Sequence, residues 1–361
     1  GFGAGLGSAA LGAAGASSFA VHPTTAIARP TRILVSFKRI KPSSPVGILG
    51  AGSDPATPKR QSAGTIARMT QLEGKRVLIT GGAQGIGLEM AIKFGDRGTH
   101  VILADLNGQK ALESAANLEG RGITSSSYQV DVTSEESIAA LRAKIAAEVG
   151  PIDILVNNAG VVFGGPFSKT QMSFHRKTYE VNVMGVVSMT HAFLDDLVAR
   201  PEAHLVHIAS ASGLIGLPYG STYASSKWAA IGFGESIRAE LNLEGHKHVQ
   251  HTIVCPSYIG TGMFEGAEAP KATNILEPED LAEKVVRAVE RNKVYVLEPF
   301  MVKLTPVLKA TLPLPVYDAM SHIFGADTSM AHWTGREPDG DERTDEESQT
   351  PTHADHPEAE Q

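Results

Sequence analysis

The sequence predicts an α/β fold: one doubly wound parallel sheet with helices on both faces. Three observations carry that expectation. From Lys75 onward, short apolar runs alternate with segments of helical spacing, and repeated β–α–β steps close as right-handed crossovers into a parallel sheet. The first apolar run feeds a glycine-rich turn that opens a helix. A tyrosine and a lysine stand four positions apart in Tyr223-Ala-Ser-Ser-Lys227, shortly after another apolar run.

Composition bounds the classes open to the chain. Its 361 residues are 42% hydrophobic and 20% charged, with a formal net charge of −7, as in a globular protein with a sizeable core. No basic domain stands out, which argues against a nucleic-acid partner. Cys255 is the only cysteine, so an internal disulfide framework is excluded and a reducing compartment is the natural expectation. Cys255 ends the apolar run His251–Cys255 and reads as a core residue rather than a nucleophile. No stretch of about 18 uninterrupted apolar residues occurs, so no spanning helix is predicted.

Three segments are expected. Residues 1–68 are rich in Gly, Ala, Ser and Pro, and basic residues such as Arg29, Arg32, Lys38, Arg39 and Lys41 outnumber the single acid Asp54. This leader reads either as an over-extended N-terminus, with the domain starting at Met69, or as an organellar transit peptide. A cytoplasmic location follows from the first reading and an organellar one from the second. Residues 69–330 form the folded domain. Residues 331–361 form an acidic, apolar-poor tail from Arg336 onward, a composition that predicts disorder.

Within the domain, Arg76–Thr80 is a short apolar strand. Gly81-Gly-Ala83-Gln84-Gly85-Ile86-Gly87 follows, then Leu88–Phe94 at helical spacing. Strand, small-residue turn and helix in that order form a phosphate-binding device, because the backbone can approach a pyrophosphate at the helix N-terminus. The second strand, His100–Ala104, runs into Asp105, 24 positions after Gly81. An acid at that place binds the adenosine ribose hydroxyls and repels a 2′-phosphate. With no basic residue expected in or near the glycine turn or Asp105, the reading is NAD rather than NADP.

A helix over 108–119, a strand over 125–130 ending at Asp131-Val132, and a helix over 134–148 continue the alternation. Ile152–Val156 is the next strand, running into Asn157-Asn158-Ala159-Gly160. A long helical region is expected over about 172–199, and Asn182 within its apolar stretch needs a hydrogen-bond partner. Leu205–Ala209 is a strand that delivers Ser210. A helix carrying Tyr223 and Lys227 extends to Leu243, and His251–Cys255 is a further strand before Pro256–Met263. On a helix, positions i and i+4 share a face. An ammonium beside a phenol favours the phenolate, lowering a pKa that otherwise lies near ~10. Such a hydroxyl suits general acid–base work on an alcohol or carbonyl oxygen, which Ser210 could also hydrogen-bond.

Thr80–Gly87, Asn157–Gly160, Asn182, Ser210, Tyr223-x-x-x-Lys227 and Pro256–Thr261 fall in order and at fitting spacing. Over about residues 72–300 the chain resembles the short-chain dehydrogenase/reductase family of the Rossmann-fold type. One departure is Pro256-Ser257, where the family usually has Pro-Gly. The resemblance implies that Tyr223 is the acid/base, that Lys227 lowers its pKa and binds the nicotinamide ribose, and that Ser210 holds the substrate oxygen. It implies that Asn182 anchors a water leading from Lys227 to solvent. Gly81, Ala83, Gln84, Gly85, Ile86 and Gly87 would line the pyrophosphate, Asp131 and Val132 the adenine, and Asn158, Ala159 and Gly160 the ribose side. Pro256, Ile259 and Thr261 would complete the cofactor site. No metal is required, and His246 and His248 read as residues of a solvated turn.

The segment after Pro256 closes over the substrate in this family, so Met263 and Phe264 are expected to line the substrate site with Ser210 and Tyr223. Apolar residues there and over 299–325 suit a lipophilic alcohol or ketone. The Cys255–Phe264 stretch and Ser329–Trp333 are similar to the retinol- and 17β-hydroxysteroid-dehydrogenase-like branch. The expected activity is NAD-dependent hydride transfer to or from such a substrate; the alternatives are a 3-oxoacyl thioester reductase and a non-catalytic NAD-binding regulator. Residues 299–325 read as core packing or a subunit interface, or as an interfacial helix on a membrane. Lys303 and Lys309 suit the membrane reading, while Pro306, Pro313 and Pro315 interrupt any long helix. A homodimer or homotetramer is implied by family habit.

Overall fold

A computed structural model of the chain describes residues 69–271 and 273–335. The leader before Met69 and the acidic segment after Gly335 lie outside the described residues. Seven strands form one parallel sheet: β1 (Arg76–Thr80), β2 (His100–Asp105), β3 (Ser125–Gln129), β4 (Ile154–Asn157), β5 (Ala203–Ile208), β6 (Val249–Pro256) and β7 (Tyr295–Glu298), in the order β3-β2-β1-β4-β5-β6-β7. Val77 is in register with Val101 on one side and Ile154 on the other. Strand order therefore reverses beside β1, and the crevice at the strands' carboxyl ends at such a switch point is where open α/β sheets bind ligands.

The continuous apolar runs of β1, β2 and β4 are those of strands covered on both faces. On one face, α1 (Gly85–Gly95), α2 (Gly108–Gly120) and α7 (Pro278–Glu290) bring Met90, Phe94, Leu118, Leu281 and Val285 against Val77, Ile79 and Val101. On the other, α3 (Glu135–Glu148), α5 (Val186–Val198) and α6 (Ser221–Leu243) bring Ile138, Leu141, Met189, Phe193 and Leu241 against Leu78, Ile102 and Leu155. Local signals agree with this arrangement. Ser134 caps α3 by accepting from the Ser137 N–H at 3.1 Å, with Glu135 and Glu136 in the first turn, where carboxylates favour the helix N-terminus.

Several details go beyond expectation for physical reasons. The helical region expected over about 172–199 is continuous but built of α4 (Met172–Tyr179), a π-helical turn (Glu180–Gly185) and α5. Its extra residue accompanies the close packing of Gly185 on Val132, where a Cβ would stand 2.8 Å from the valine methyl. Neither α7 nor β7 was among the expected elements. Residues 299–325 form two short helices, α8 (Phe300–Thr311) and α9 (Leu314–Phe324). The chain breaks at Leu312-Pro313, while Pro306 is tolerated inside α8 and Pro315 sits in the first turn of α9. Core packing does not describe this pair: α8 buries only Val302 and α9 buries no residue. Among the described residues no helix is long and apolar enough to cross a membrane. The packed chain continues past 330 to Gly335, with Trp333 6% exposed.

Candidate active site

Every predicted site residue lies at, or just beyond, the carboxyl end of a strand or on the helices that follow. The glycine turn leaves β1, Asp105 ends β2, Asp131 and Val132 follow β3, Asn158–Gly160 follow β4, Ser210 follows β5 and Pro256 ends β6. Gly81 and Gly85 have φ of +62° and +56°, a left-handed backbone that glycine adopts at no steric cost. Gly87 has no room for a side chain, since a Cβ would meet the Gly81 carbonyl oxygen at 2.1 Å. Gln84 caps α1 in extended conformation without a side-chain cap bond, so the first-turn N–H groups have no side-chain acceptor at that cap. These features fit a pyrophosphate at the start of α1. Ile86 sits half-buried in that first turn. Thr261 comes close from the opposite side, 3.5 Å from where a Gly85 Cβ would stand, and Ile259 pairs with Leu276 beside it.

Asp105 receives hydrogen bonds from the Ala83 N–H at 3.0 Å and the Asn107 N–H at 3.1 Å. The expectation that no basic residue stands near the glycine turn does not hold. Lys110, on the first turn of α2, donates from Nζ to Gln84 Oε1 at 2.6 Å. The pair is 26 positions apart in sequence, and the sequence pattern carried no signal for it. Asp131 turns its carboxylate to the Thr133 N–H and hydroxyl at 2.8 and 2.7 Å, and Val132 packs on Gly185. Asn158 works through position: its Nδ2 donates to the Thr80 and Gly81 carbonyls, both at 2.9 Å, and Thr80 Oγ1 accepts from the Asn158 and Ala159 N–H groups. The end of β4 thereby holds the glycine turn.

Around Tyr223 the structure brings together the four residues that the sequence singled out as acid/base, lysine, serine and asparagine. Asn182, fully buried in the π turn, donates to the Val161 carbonyl at 2.9 Å and to Ser226 Oγ at 3.0 Å, and its Oδ1 accepts from the Val161 N–H at 2.8 Å. That supplies the partner its amide requires. A Cβ on Gly160 would lie 3.3 Å from Asn182 Oδ1 and 3.4 Å from Lys227 Nζ, which places the amide and the ammonium around one point. Lys227 Nζ donates to the Ile208 carbonyl at 3.0 Å and lies 5.6 Å from the Tyr223 ring centre. Ser210 Oγ accepts from the Ser212 N–H at 3.2 Å and donates to the Pro256 carbonyl at 3.4 Å.

Electrostatically the pair differs from the simple expectation. Burial pushes the Tyr223 phenol up, outweighing the hydrogen bond with Ser210 that acts the other way. The same burial lowers Lys227 to about 8. Desolvation penalises the charged form of both groups, so here the tyrosine shifts opposite to the direction expected from the lysine alone.

Beside Tyr223, at Phe264, the side chains form an apolar cluster. Phe264 meets Tyr223 edge-on at 5.6 Å and Tyr258 at 5.3 Å. Val162, Leu217, Ala224, Met330 and Trp333 complete the cluster. Met330 and Trp333 arrive on a C-terminal strap, Ser329–Gly335, which is tied down at three places. Tyr258 donates to Ser329 Oγ at 2.7 Å, the Trp333 indole donates to the Met263 carbonyl at 3.1 Å, and the Thr334 N–H donates to the Glu265 carbonyl at 2.9 Å. Tyr258, Leu217 and Val162 were not among the residues expected around Tyr223, because no periodic signal joins such distant positions.

Comparison with known proteins agrees with this geometry. A family model described as short chain dehydrogenase matches residues 75–272. Among curated relatives, short-chain dehydrogenase/reductase family 16C member 6 of Bos taurus is 34% identical over 274 residues, covering 75% of this chain and 87% of that protein. Epidermal retinol dehydrogenase 2 of Homo sapiens is 36% identical over 67% of this chain and 79% of its own length. Estradiol 17-beta-dehydrogenase 11 of Mus musculus is 34% identical over 69% and 83%. A Burkholderia phymatum short chain dehydrogenase/reductase solved in complex with NAD shares the fold at a TM-score of 0.60 and 24% identity, covering 70% of this chain and 97% of that one. A Thermococcus sibiricus alcohol dehydrogenase complexed with 5-hydroxy-NADP gives a TM-score of 0.55 and 26% identity, over 62% and 94%. With its sheet order, its glycine turn and its Tyr223–Lys227 helix, the chain belongs to the short-chain dehydrogenase/reductase family, oxidoreductases that act on alcohol and keto groups.

Proposed function

We propose that the chain transfers a hydride between NAD and a lipophilic alcohol or ketone of retinol-like or steroid-like character, with Ser210, Tyr223, Lys227 and Asn182 as its acting residues. The observation that carries this reading is the apolar enclosure of the one buried phenol with an adjacent serine hydroxyl. Phe264, Met330, Trp333 and Leu217 surround Tyr223, and Ser210 stands beside it. An oily substrate is drawn into such a site by burial of its own apolar surface, and its one oxygen is left to the two hydroxyls.

When bound, the nicotinamide supplies or accepts the hydride. The chain's own residues handle the oxygen and the proton. Burial keeps Tyr223 protonated, so its hydroxyl donates toward a ketone oxygen as that oxygen gains electrons, and recovers the proton in the alcohol direction. Ser210 Oγ gives the oxygen a second hydrogen bond and so fixes its approach. Lys227, anchored on Ile208, places a positive charge one helical turn from the phenol and stabilises the phenolate that forms. Asn182 holds the Gly160–Val161 backbone through both its amide atoms, and the proton route toward Lys227 passes beside it. In this reading NAD preference rests on Asp105, which ends β2 and accepts from the Ala83 N–H of the glycine turn.

The test is nicotinamide absorbance during turnover of a panel of retinol, steroid, aliphatic and hydroxyacyl substrates with NAD and with NADP. Turnover of retinoids or steroids supports the reading, and turnover confined to short polar or hydroxyacyl substrates contradicts it in favour of the 3-oxoacyl thioester reductase. The exposed apolar faces of α8 and α9, with Phe300 65% and Leu314 70% exposed, support coverage by a second copy of the chain or by a lipid surface. Sedimentation with and without lipid vesicles separates those two.

A further inference from the structure

We infer that Lys309 is a positioning residue for Ser210: its ammonium, stacked on the Trp228 indole, clamps the backbone turn at 211–215 that aims the Ser210 hydroxyl. The inference rests on the proposed role of Ser210 at the substrate oxygen and carries it outward to α8, a helix that none of the sequence motifs includes.

Ser210 leaves β5 into a single turn of 3-10 helix, Ala211–Gly213. The Ser212 N–H donates to Ser210 Oγ at 3.2 Å, the Gly213 N–H to the Ser210 carbonyl at 2.9 Å and the Leu214 N–H to the Ala211 carbonyl at 3.0 Å. One backbone donor of this turn therefore sets the direction of the hydroxyl. A 3-10 turn has poor hydrogen-bond geometry, so its shape depends on support from outside. Two side chains supply it. The Trp228 indole N–H donates to the Ser212 carbonyl at 2.9 Å and to the Ile215 carbonyl at 3.1 Å. Lys309 Nζ donates to the Leu214 carbonyl between them at 3.1 Å and lies 3.9 Å from the centre of the Trp228 ring, where an ammonium and an aromatic face attract.

The turn is confined on one side and free on the other. Trp228 directly follows Lys227 on α6, so the helix that carries the acid/base pair also carries the indole. Gly213 seats the turn on that helix: a Cβ there would meet the Lys227 carbonyl oxygen at 2.8 Å and an Ile231 methyl at 2.7 Å. Away from α6 the turn faces a groove of about 450 Å³, lined by Leu214, Trp228, Ile231, Pro306 and Lys309 among others. That space lets the Leu214 peptide turn outward, and Lys309 is the group that spans it from α8.

The experiment compares the wild type, Lys309→Met, Lys309→Arg, Ser210→Ala and the double variant Ser210→Ala/Lys309→Met, using an alcohol of the panel that the wild type turns over with NAD. Lys309→Met should lower kcat/KM about three- to tenfold, the size of one hydrogen bond, and leave the NADH dissociation constant within about twofold. Lys309→Arg, which stays charged and stacks on an aromatic ring, should restore most of the rate. In the Ser210→Ala background, Lys309→Met should change the rate by less than about twofold, because the group it positions is gone. Hydrogen exchange, which needs no turnover, should show the amides of 211–215 opening faster in Lys309→Met while those of the glycine turn at 81–87 are unchanged. The inference is overturned if Lys309→Met costs as much without Ser210 as with it, if it costs nothing, or if exchange at 211–215 does not rise. A wild type that turns over nothing, with the rise in exchange present, would overturn the functional reading and support the clamp.

Discussion

Lys227 follows Tyr223 by one turn of α6, and its ammonium lies 5.6 Å from the centre of the phenol ring while bonded to the Ile208 carbonyl at 3.0 Å. The helix sets the spacing and the end of β5 sets the direction of the lysine. Both groups are buried, at 5% exposure each, so neither holds a charge cheaply. The tyrosine stays protonated and the lysine sits near neutrality in its titration.

Replacing Tyr223 with Phe removes the proton donor and little packing volume. Turnover should fall by about 10²–10⁴-fold, the usual size of general acid–base catalysis, while NADH binding and the melting temperature stay near wild type. Steady-state kinetics and a thermal melt on the same preparation check both halves.

The pH dependence follows from Lys227. Its pKa is lowered by burial to about 8, so the positive charge is complete below that value and is lost as the pH rises through it. The rate of ketone reduction, which uses the phenol proton and that charge, should decline above about pH 8. Lys227→Arg, which stays charged, should move that limb to higher pH. A limb in the same place for both proteins would assign it to another group.

Asn182 serves three partners, the Val161 N–H, the Val161 carbonyl and the buried Ser226 Oγ. Asn182→Ala leaves them unpaired, and each such loss costs about 1–3 kcal/mol. Chemical denaturation should show a clear loss of stability, with activity falling alongside because the Gly160–Val161 backbone is no longer held.

The parallel doubly wound sheet, the strand–glycine turn–helix unit and the helical spacing of Tyr223 and Lys227 were legible because each rests on neighbouring residues: alternation, a turn of small residues, an i,i+4 spacing. What was not legible comes from contacts between distant positions. Lys110 meets Gln84, Asn158 holds Thr80 and Gly81, and Trp333 returns to Met263. The upward shift of Tyr223 was missed for the same reason, since spacing shows the lysine and only the folded chain shows the burial. The π turn at Asn182 needed the packing of Gly185 on Val132 to be seen.

Three buried histidines make the fold acid-labile. His204, His207 and His251 lie on β5 and β6, and burial lowers them to about 3, 3 and 4. Their folded values lie below the ordinary 6.5, so the unfolded chain binds more protons between the two. Stability is full above about 6.5 and falls as the pH drops toward the folded values. Denaturant midpoints measured down through this window should decrease steadily, and His204→Gln should make the decrease shallower.

The strap over the apolar cluster at Tyr223 should be displaced by one methyl group. A Cβ on Gly164 would stand 2.6 Å from the Trp333 ring, so Gly164→Ala must push Trp333 away. In a Trp228→Phe background, Trp333 is the sole tryptophan, and its fluorescence should shift to the red as water reaches it. The KM for a bulky lipophilic alcohol should change by a larger factor than the KM for a short one.

On the proposed function, Tyr223 performs proton transfer in an apolar site served by a nicotinamide. The most direct measurement is nicotinamide absorbance during turnover of retinol and steroid alcohols by the wild type and by Tyr223→Phe, with NADH binding measured on both. Turnover by the wild type, its loss in the variant and unchanged NADH binding are the predicted result. Equal turnover by the two proteins, or none by a wild type that binds NADH, would contradict it.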